Sequence, residues 1–165
     1  MIEVFPNLYV GSGTDLIHVD DGKKGVKDGW FVVSAARDPW HREALGYTGR
    51  GAPKDHSEYL MAARLRRLIL NLVDAADPAY IREEIMDAAT RSISDALDRG
   101  DKVLIHCNQG GSRAPGIALM WLRKNHPDYA EATFAEAVEG FTKAYPDFAP
   151  AAGIRGYLEQ HWNPA

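Results

Sequence analysis

The stretch Val103-Leu104-Ile105-His106-Cys107-Asn108-Gln109-Gly110-Gly111-Ser112-Arg113-Ala114-Pro115-Gly116-Ile117-Ala118-Leu119-Met120-Trp121-Leu122 reads as three consecutive pieces. Residues 103–106 form a short apolar run of the kind that suits a strand buried on both faces. Residues 114–122 are apolar over a longer span and carry Pro115 close to a first helical position, where proline's missing N–H would have had no partner anyway. Between them lie the only cysteine of the chain, two adjacent glycines and an arginine. A strand that feeds a helix through such a loop places the loop at a helix N-terminus. There the unpaired N–H groups and the helix dipole favour an anion.

The loop composition predicts which anion chemistry. Gly110 and Gly111 permit φ > 0 and put no side chain in the way, so successive N–H groups from Asn108, Gln109, Gly110, Gly111 and Ser112 can converge on a phosphate-sized volume. The same field favours thiolate over thiol and makes Cys107 a candidate nucleophile. Six residues later, Arg113 presents a planar fork that matches two phosphate oxygens at once, a geometry lysine does not reproduce. Phosphoryl transfer spreads negative charge over the equatorial oxygens, which N–H groups and one guanidinium can stabilise, so neither a metal nor a cofactor is expected.

Outward from this centre, residues 30–34 and 68–73 are further apolar runs that suit buried strands. Ile81, Ile85, Ala89, Ile93 and Leu97 recur every four residues and predict a helix from about residue 78 to 99, stopped by Gly100. Phe134, Val138, Phe141 and Tyr145 predict a second helix that ends before Pro146. Strand and helix alternate, so the expected class is α/β, a central and mostly parallel sheet flanked by helices, with residues 1–165 as one domain. Residues 38–57 break every period at Pro39, Gly46, Gly49, Gly51 and Pro53. They are expected to be an irregular insertion outside the core, decorated by Trp40, His41, Arg42, Tyr47, Arg50, Lys54 and His56.

The bulk charge narrows the partners. With 19 Lys and Arg against 23 Asp and Glu the net charge is −4, without the broad basic footprint of a nucleic-acid or anionic-membrane binder. The longest apolar runs fall well short of the roughly 20 residues that span a bilayer. The N-terminus lacks the pattern of a secretory signal, so a cytoplasmic protein is expected. No histidine pair has metal-ligand spacing, and no metal site is predicted.

His106-Cys107, five residues and then Arg113 resembles the signature of the cysteine-based protein-tyrosine phosphatases, and most of all their dual-specificity branch. The likeness extends to Asn7-Leu8-Tyr9-Val10-Gly11-Ser12, similar to the family's opening strand and turn, and to Pro146-Asp147-Phe148-Ala149-Pro150, similar to its closing segment. It covers nearly the whole chain outside residues 38–57. The resemblance implies a phosphomonoester hydrolase working through a cysteinyl-phosphate on Cys107, with Arg113 as phosphate clamp, residues 108–112 as the phosphate loop and His106 holding the loop in place. Its substrate would be a phosphorylated protein or a small phosphomonoester.

The family also draws a general acid from an upstream aspartate, and two are available after the strand at residues 68–73. Asp77 precedes Pro78 and a helical stripe, which makes it a natural N-cap. Asp74 has no such duty, lies at the carboxyl end of a strand where α/β sites gather, and matches the family's acid position, so it is assigned as general acid and base. One departure stands out: Ala114 follows the arginine where the family commonly has a hydroxyl for the departing thiolate, and Ser112 is the available substitute. Two other readings share the loop, a sulfurtransferase and an inactive phosphate-binding module. The absence of Lys and Arg from residues 108–112 disfavours a highly charged lipid headgroup. The basic residues of the insertion are instead expected to meet acidic neighbours of a phosphorylated target.

Overall fold

The computed structural model describes residues 1–163. Strands β1 (Ile2–Phe5), β2 (Leu8–Gly11) and β3 (Trp30–Ser34) are followed by a helical turn at Arg37–His41 and by α1 (Arg42–Leu45). Then come β4 (Met61–Arg64), β5 (Arg67–Leu70), α2 (Glu83–Asp98), β6 (Lys102–His106), α3 (Arg113–Asn125), α4 (Pro127–Glu131), α5 (Phe134–Ala144) and α6 (Ala152–Trp162). The six strands make one sheet in the order β1-β2-β6-β3-β5-β4. β2, β6, β3 and β5 run parallel, while β1 and β4 pair antiparallel at the two edges. The mostly parallel α/β sheet read from the sequence is therefore present, closed by a hairpin at each edge.

β6 lies inside the sheet because it has no polar face to offer water. Val103 and Ile105 join the large core under the helices, whereas Leu104 joins Val19 and Val32 on the opposite face. Burial on both sides explains why the run shows no alternation. α3 continues the pattern, with Ala114 to Leu122 all buried. It approaches α6 at Gly116, where a β-carbon would come within 2.6 Å of Ile154 Cγ2.

Two sequence expectations need correction. Asp77 does cap, accepting the Ala79 N–H at 2.9 Å, but the turn it starts covers only Pro78–Tyr80. Ile81 and Arg82 are extended, and the helix predicted from about residue 78 begins at Glu83. Ile81 nonetheless stays buried, so it continues the apolar stripe without continuing the helix. The segment 38–57, expected to be irregular and outside the core, is irregular over residues 46–57 and contributes to neither hydrophobic cluster, but it is helical from Pro39 to Leu45 and contains a fully buried residue, His41. The His41 ring bonds the Tyr47 hydroxyl at 2.8 Å and the Glu58 carbonyl at 2.9 Å, pinning both ends of the segment. Burial holds this imidazole below its ordinary pKa, and hence neutral near pH 7.

α5 forms where expected, opened by a reciprocal cap between Thr133 and Glu136. α6 closes the helical layer over α3 and α5. Its last residue, Trp162, is fully buried, donates Nε1–H to the Ala132 carbonyl at 2.9 Å, and has its own carbonyl held by Arg123 Nε at 2.8 Å. Trp162→Ala removes a large buried ring and orphans the Ala132 acceptor. It is expected to lower stability by about 3–5 kcal/mol, read from urea unfolding; a loss below about 1 kcal/mol would mean that α6 collapses into the gap.

Candidate active site

The four parallel strands all end on one side of the sheet, and the turns leaving β6, β3 and β5 meet there, where α/β proteins place ligands. Cys107 follows β6 directly, and residues 107–112 curl into the start of α3. The carbonyls of this loop are taken by groups outside its centre. Cys107 O faces His106 Nδ1 at 3.2 Å, Asn108 O accepts Gly13 N–H at 3.1 Å, Gly110 O accepts the Tyr145 hydroxyl at 2.6 Å, and Gly111 O accepts Ala149 N–H at 2.8 Å. In a trans peptide the next N–H points opposite its carbonyl. The N–H groups of Asn108, Gln109, Gly111 and Ser112 are therefore turned the other way, into the loop. Those four residues, with Cys107, Arg113, Asp74 and Ala149, line a cavity of about 370 Å³.

Gly110 is the one predicted loop residue that does not line it. Its φ of +80° makes the turn, and a β-carbon there would crowd the Gly11 backbone and the Tyr145 hydroxyl at 3.0 Å. Gly111, also expected at positive φ, is not in that region. Burial, and then the Asp147 carboxylate, push Tyr145 up to about 12, so its hydroxyl remains a donor to the loop.

Arg113 begins α3 and reaches back across the cavity. Nη1 donates to the Leu72 carbonyl at 3.1 Å and Nη2 to Asn108 Oδ1 at 2.6 Å, while the buried Nε–H has no partner among the described residues. Asn108 is fixed in turn by donating Nδ2–H to the Asp38 carbonyl at 3.0 Å. A buried N–H left unpaired costs on the order of 1–3 kcal/mol, and an oxyanion at this site would relieve that cost.

Asp74 arrives on the turn after β5. Its Oδ1 accepts the Ser112 hydroxyl at 3.0 Å, and Ser112 Oγ itself accepts Ala151 N–H at 2.9 Å. The Ser112 proton is thus directed at Asp74, and Ser112 does not take over the hydroxyl missing at Ala114. The turn carrying Asp74 is docked on the start of α6, where Gly153 N–H meets the Ala75 carbonyl at 3.1 Å. A β-carbon on Gly153 would lie 2.0 Å from that oxygen, so this approach requires glycine. Asp77, the competing carboxylate, is occupied by its cap.

His106 is wholly buried beneath the loop, its ring centroid 4.5 Å from that of Trp40 and the two rings nearly perpendicular. A carbonyl only accepts, so the neutral ring carries its proton on Nδ1, toward Cys107 O. Nε2 then accepts the Ser34 hydroxyl at 2.7 Å. Ser34 Oγ accepts from Arg67 Nε at 2.9 Å, and Arg67 Nη1 is paired with Asp20 at 3.1 Å. Burial is the main cause that lowers His106 to about 4; the nearby Arg67 and Arg113 charges add to it, and its bond to the Cys107 backbone opposes it. Sequence reading named His106 but missed Ser34, Arg67, Asp20, Tyr145 and Gly153 as its supports and those of the loop. Among the described residues no group of three His, Cys, Asp or Glu side chains is arranged to hold a metal ion.

No family model matches the chain, and no curated protein matches it in sequence. Solved structures do resemble it. The human tyrosine phosphatase-like serine/threonine/tyrosine-interacting protein superposes with a TM-score of 0.66 at 20% identity, covering 98% of this chain and 94% of its own. Human DUSP28 gives 0.63 at 18% identity, over 98% and 95%. Orf virus OH1, described as a tyrosine phosphatase with triple substrate specificity, gives 0.61 at 17%, over 98% and 86%. The chain therefore has the fold of the cysteine-based tyrosine phosphatases in their dual-specificity form.

The neutral His106 makes stability depend on pH. The unfolded chain takes up its proton near 6.5 and the folded one only near 4, so stability present above pH 6.5 is lost as the pH falls to about 4. The loss assigned to this ring is about 3 kcal/mol. Urea unfolding of the parent and His106→Asn between pH 7 and 4 is expected to show a steeper acid loss in the parent. Equal slopes would mean that the ring accepts its proton without penalty.

Proposed function

We propose that this protein is a metal-independent phosphomonoester hydrolase of the protein-tyrosine and dual-specificity type, working through a covalent cysteinyl-phosphate. The observation that carries the reading is the meeting in one cavity of Cys107 and the Arg113 clamp, from one loop, with the Asp74 carboxylate, which comes from a separate part of the chain. The fold it shares with dual-specificity phosphatases supports the same reading.

In the first step the Cys107 thiolate attacks phosphorus and the bond from phosphorus to the ester oxygen breaks. Asp74, protonated, gives its proton to the departing alkoxide or phenoxide. The inward N–H groups and Arg113, including its unpartnered Nε–H, stabilise the equatorial oxygens of the loose transition state. In the second step Asp74, now a carboxylate, takes a proton from water as its oxygen attacks phosphorus. The sulfur–phosphorus bond breaks, inorganic phosphate leaves and the thiolate returns. His106 stays neutral throughout and acts by fixing the loop through Cys107 O.

The second step has less help than the first. Ala114 offers no hydroxyl to the departing sulfur, and the Ser112 hydroxyl is directed at Asp74. This favours a slow release of phosphate, and in the limit a module that holds phosphate without turning it over.

Hydrolysis of para-nitrophenyl phosphate in the presence of a chelator tests the proposal. The reduced parent is expected to turn over, Cys107→Ser to lose all activity, and Asp74→Asn to lose about 10²–10⁴-fold. Ala114→Ser is expected to raise the steady-state rate relative to the initial burst. No turnover by the reduced parent, or sulfur transfer from thiosulfate to Cys107 in its place, would reject the phosphatase reading.

A further inference from the structure

Beside the Asp74 turn, at the same end of the sheet, the surface opens into two adjoining cavities of about 740 and 300 Å³ that share Tyr59, Leu60 and Arg82 in their walls. Their position follows from the topology. β4 runs antiparallel to β5, with Met61 opposite Leu70 and the Leu60 carbonyl accepting Asn71 N–H at 2.9 Å. The chain leading into β4 therefore lies where β5 ends and the Asp74 turn begins. Val73, next to Asp74, lines the smaller cavity.

The charge of this groove is opposite to that of the chain. The protein carries a net charge of −4, yet Lys54, Arg82 and Arg37, the last paired with Asp38 at 2.9 Å, line the two cavities beside the His56 ring, and among the described residues no carboxylate does. Among the described residues Arg82 is paired only with the exposed Glu84, at 3.3 Å on its own helix start, and solvent screens such a pair. Tyr80 stands largely exposed at the wall, a flat apolar surface beside the cations. The groove is joined to the phosphate clamp by one atom. The Leu72 carbonyl accepts both the Arg37 backbone N–H at 2.8 Å and Arg113 Nη1 at 3.1 Å.

We propose that this groove receives an anionic peptide segment, the carboxylate- or phosphate-bearing residues that flank the phosphorylated side chain held over Cys107. The inference rests on the phosphatase reading and narrows its substrate class to phosphoproteins with acidic surroundings. Lys54 and Arg82 are its specificity-determining residues. An extended peptide rises about 3.3 Å per residue, so a few residues carry the chain from the clamp across the Asp74 turn. The cations steer it by long-range attraction that salt weakens.

The test separates binding from turnover. Two labelled phosphotyrosine peptides, identical except for Asp and Glu or Ala and Gln on both flanks, are titrated against Cys107→Ser protein with and without Lys54→Glu and Arg82→Glu together. The acidic peptide is expected to bind about tenfold more tightly than the neutral one, and the double charge reversal to remove that preference. In the active protein the same double variant is expected to change para-nitrophenyl phosphate turnover by less than about twofold, because a small ester does not reach the groove. Equal binding of the two peptides, or a preference that survives the charge reversal, overturns the inference. So does a dependence on Lys54 and Arg82 seen only with phosphoinositide vesicles. Preference for the acidic peptide without any turnover leaves the groove standing and rejects only the hydrolase reading.

Discussion

A loop that aims several N–H dipoles at one point works against itself, because like ends of dipoles repel. Here the repulsion is overcome from outside. The carbonyls on the other side of each peptide are held by His106, Gly13, Tyr145 and Ala149. These partners come from β6 itself, from the turn after β2, from the end of α5 and from the segment before α6, so the inward-turned loop exists only when the whole sheet and its helical cover are assembled. This is preorganisation in its physical sense, with the orienting work done during folding and not when the ligand arrives. The same closing segment continues to Ala151 and Gly153, which hold Ser112 and the Asp74 turn. The Cys107 loop and the Asp74 turn are thereby referenced to a single stretch of backbone.

How much of this the sequence disclosed depends on the range of each interaction. The strand at residues 102–106, the loop after it and the apolar start of α3 are local, and their composition alone places a turn between a buried strand and a helix N-terminus. Asp77 was readable as a cap because capping is also local, and the cap is where it was expected. The supports were not legible. Ser34 and Arg67 meet His106 only because β3 lies between β6 and β5, and strand order leaves no mark on periodicity. β4, Met-Ala-Ala-Arg, carries neither alternation nor β-branched residues and is made a strand by its neighbour. In residues 38–57 the glycines and prolines obscured a buried histidine whose two partners are six and seventeen residues away.

The serine before the arginine illustrates a choice that only three-dimensional contacts decide. As a small residue in a glycine-rich loop, Ser112 could have turned to the thiolate, to solvent or to the helix it begins. It makes no cap bond and instead links the Asp74 carboxylate to the N-terminal end of α6. Among the described residues Asp74 Oδ1 is held and Oδ2 has no bond partner, which suits the proposed role of giving up a proton at one oxygen while keeping orientation through the other. The corresponding weakness is at sulfur, where Ala114 supplies packing and no hydrogen bond. On the proposed mechanism these two features shift the difficulty from forming the covalent intermediate to breaking it.

That intermediate is the direct test. Asp74→Asn protein is mixed with para-nitrophenyl phosphate, quenched within the first turnover, digested and analysed by mass spectrometry for the peptide that contains Cys107. The mechanism predicts one phosphoryl group on Cys107 and none on any serine or histidine, appearing in step with the first equivalent of nitrophenol. Release of nitrophenol with Cys107 unmodified throughout would contradict it.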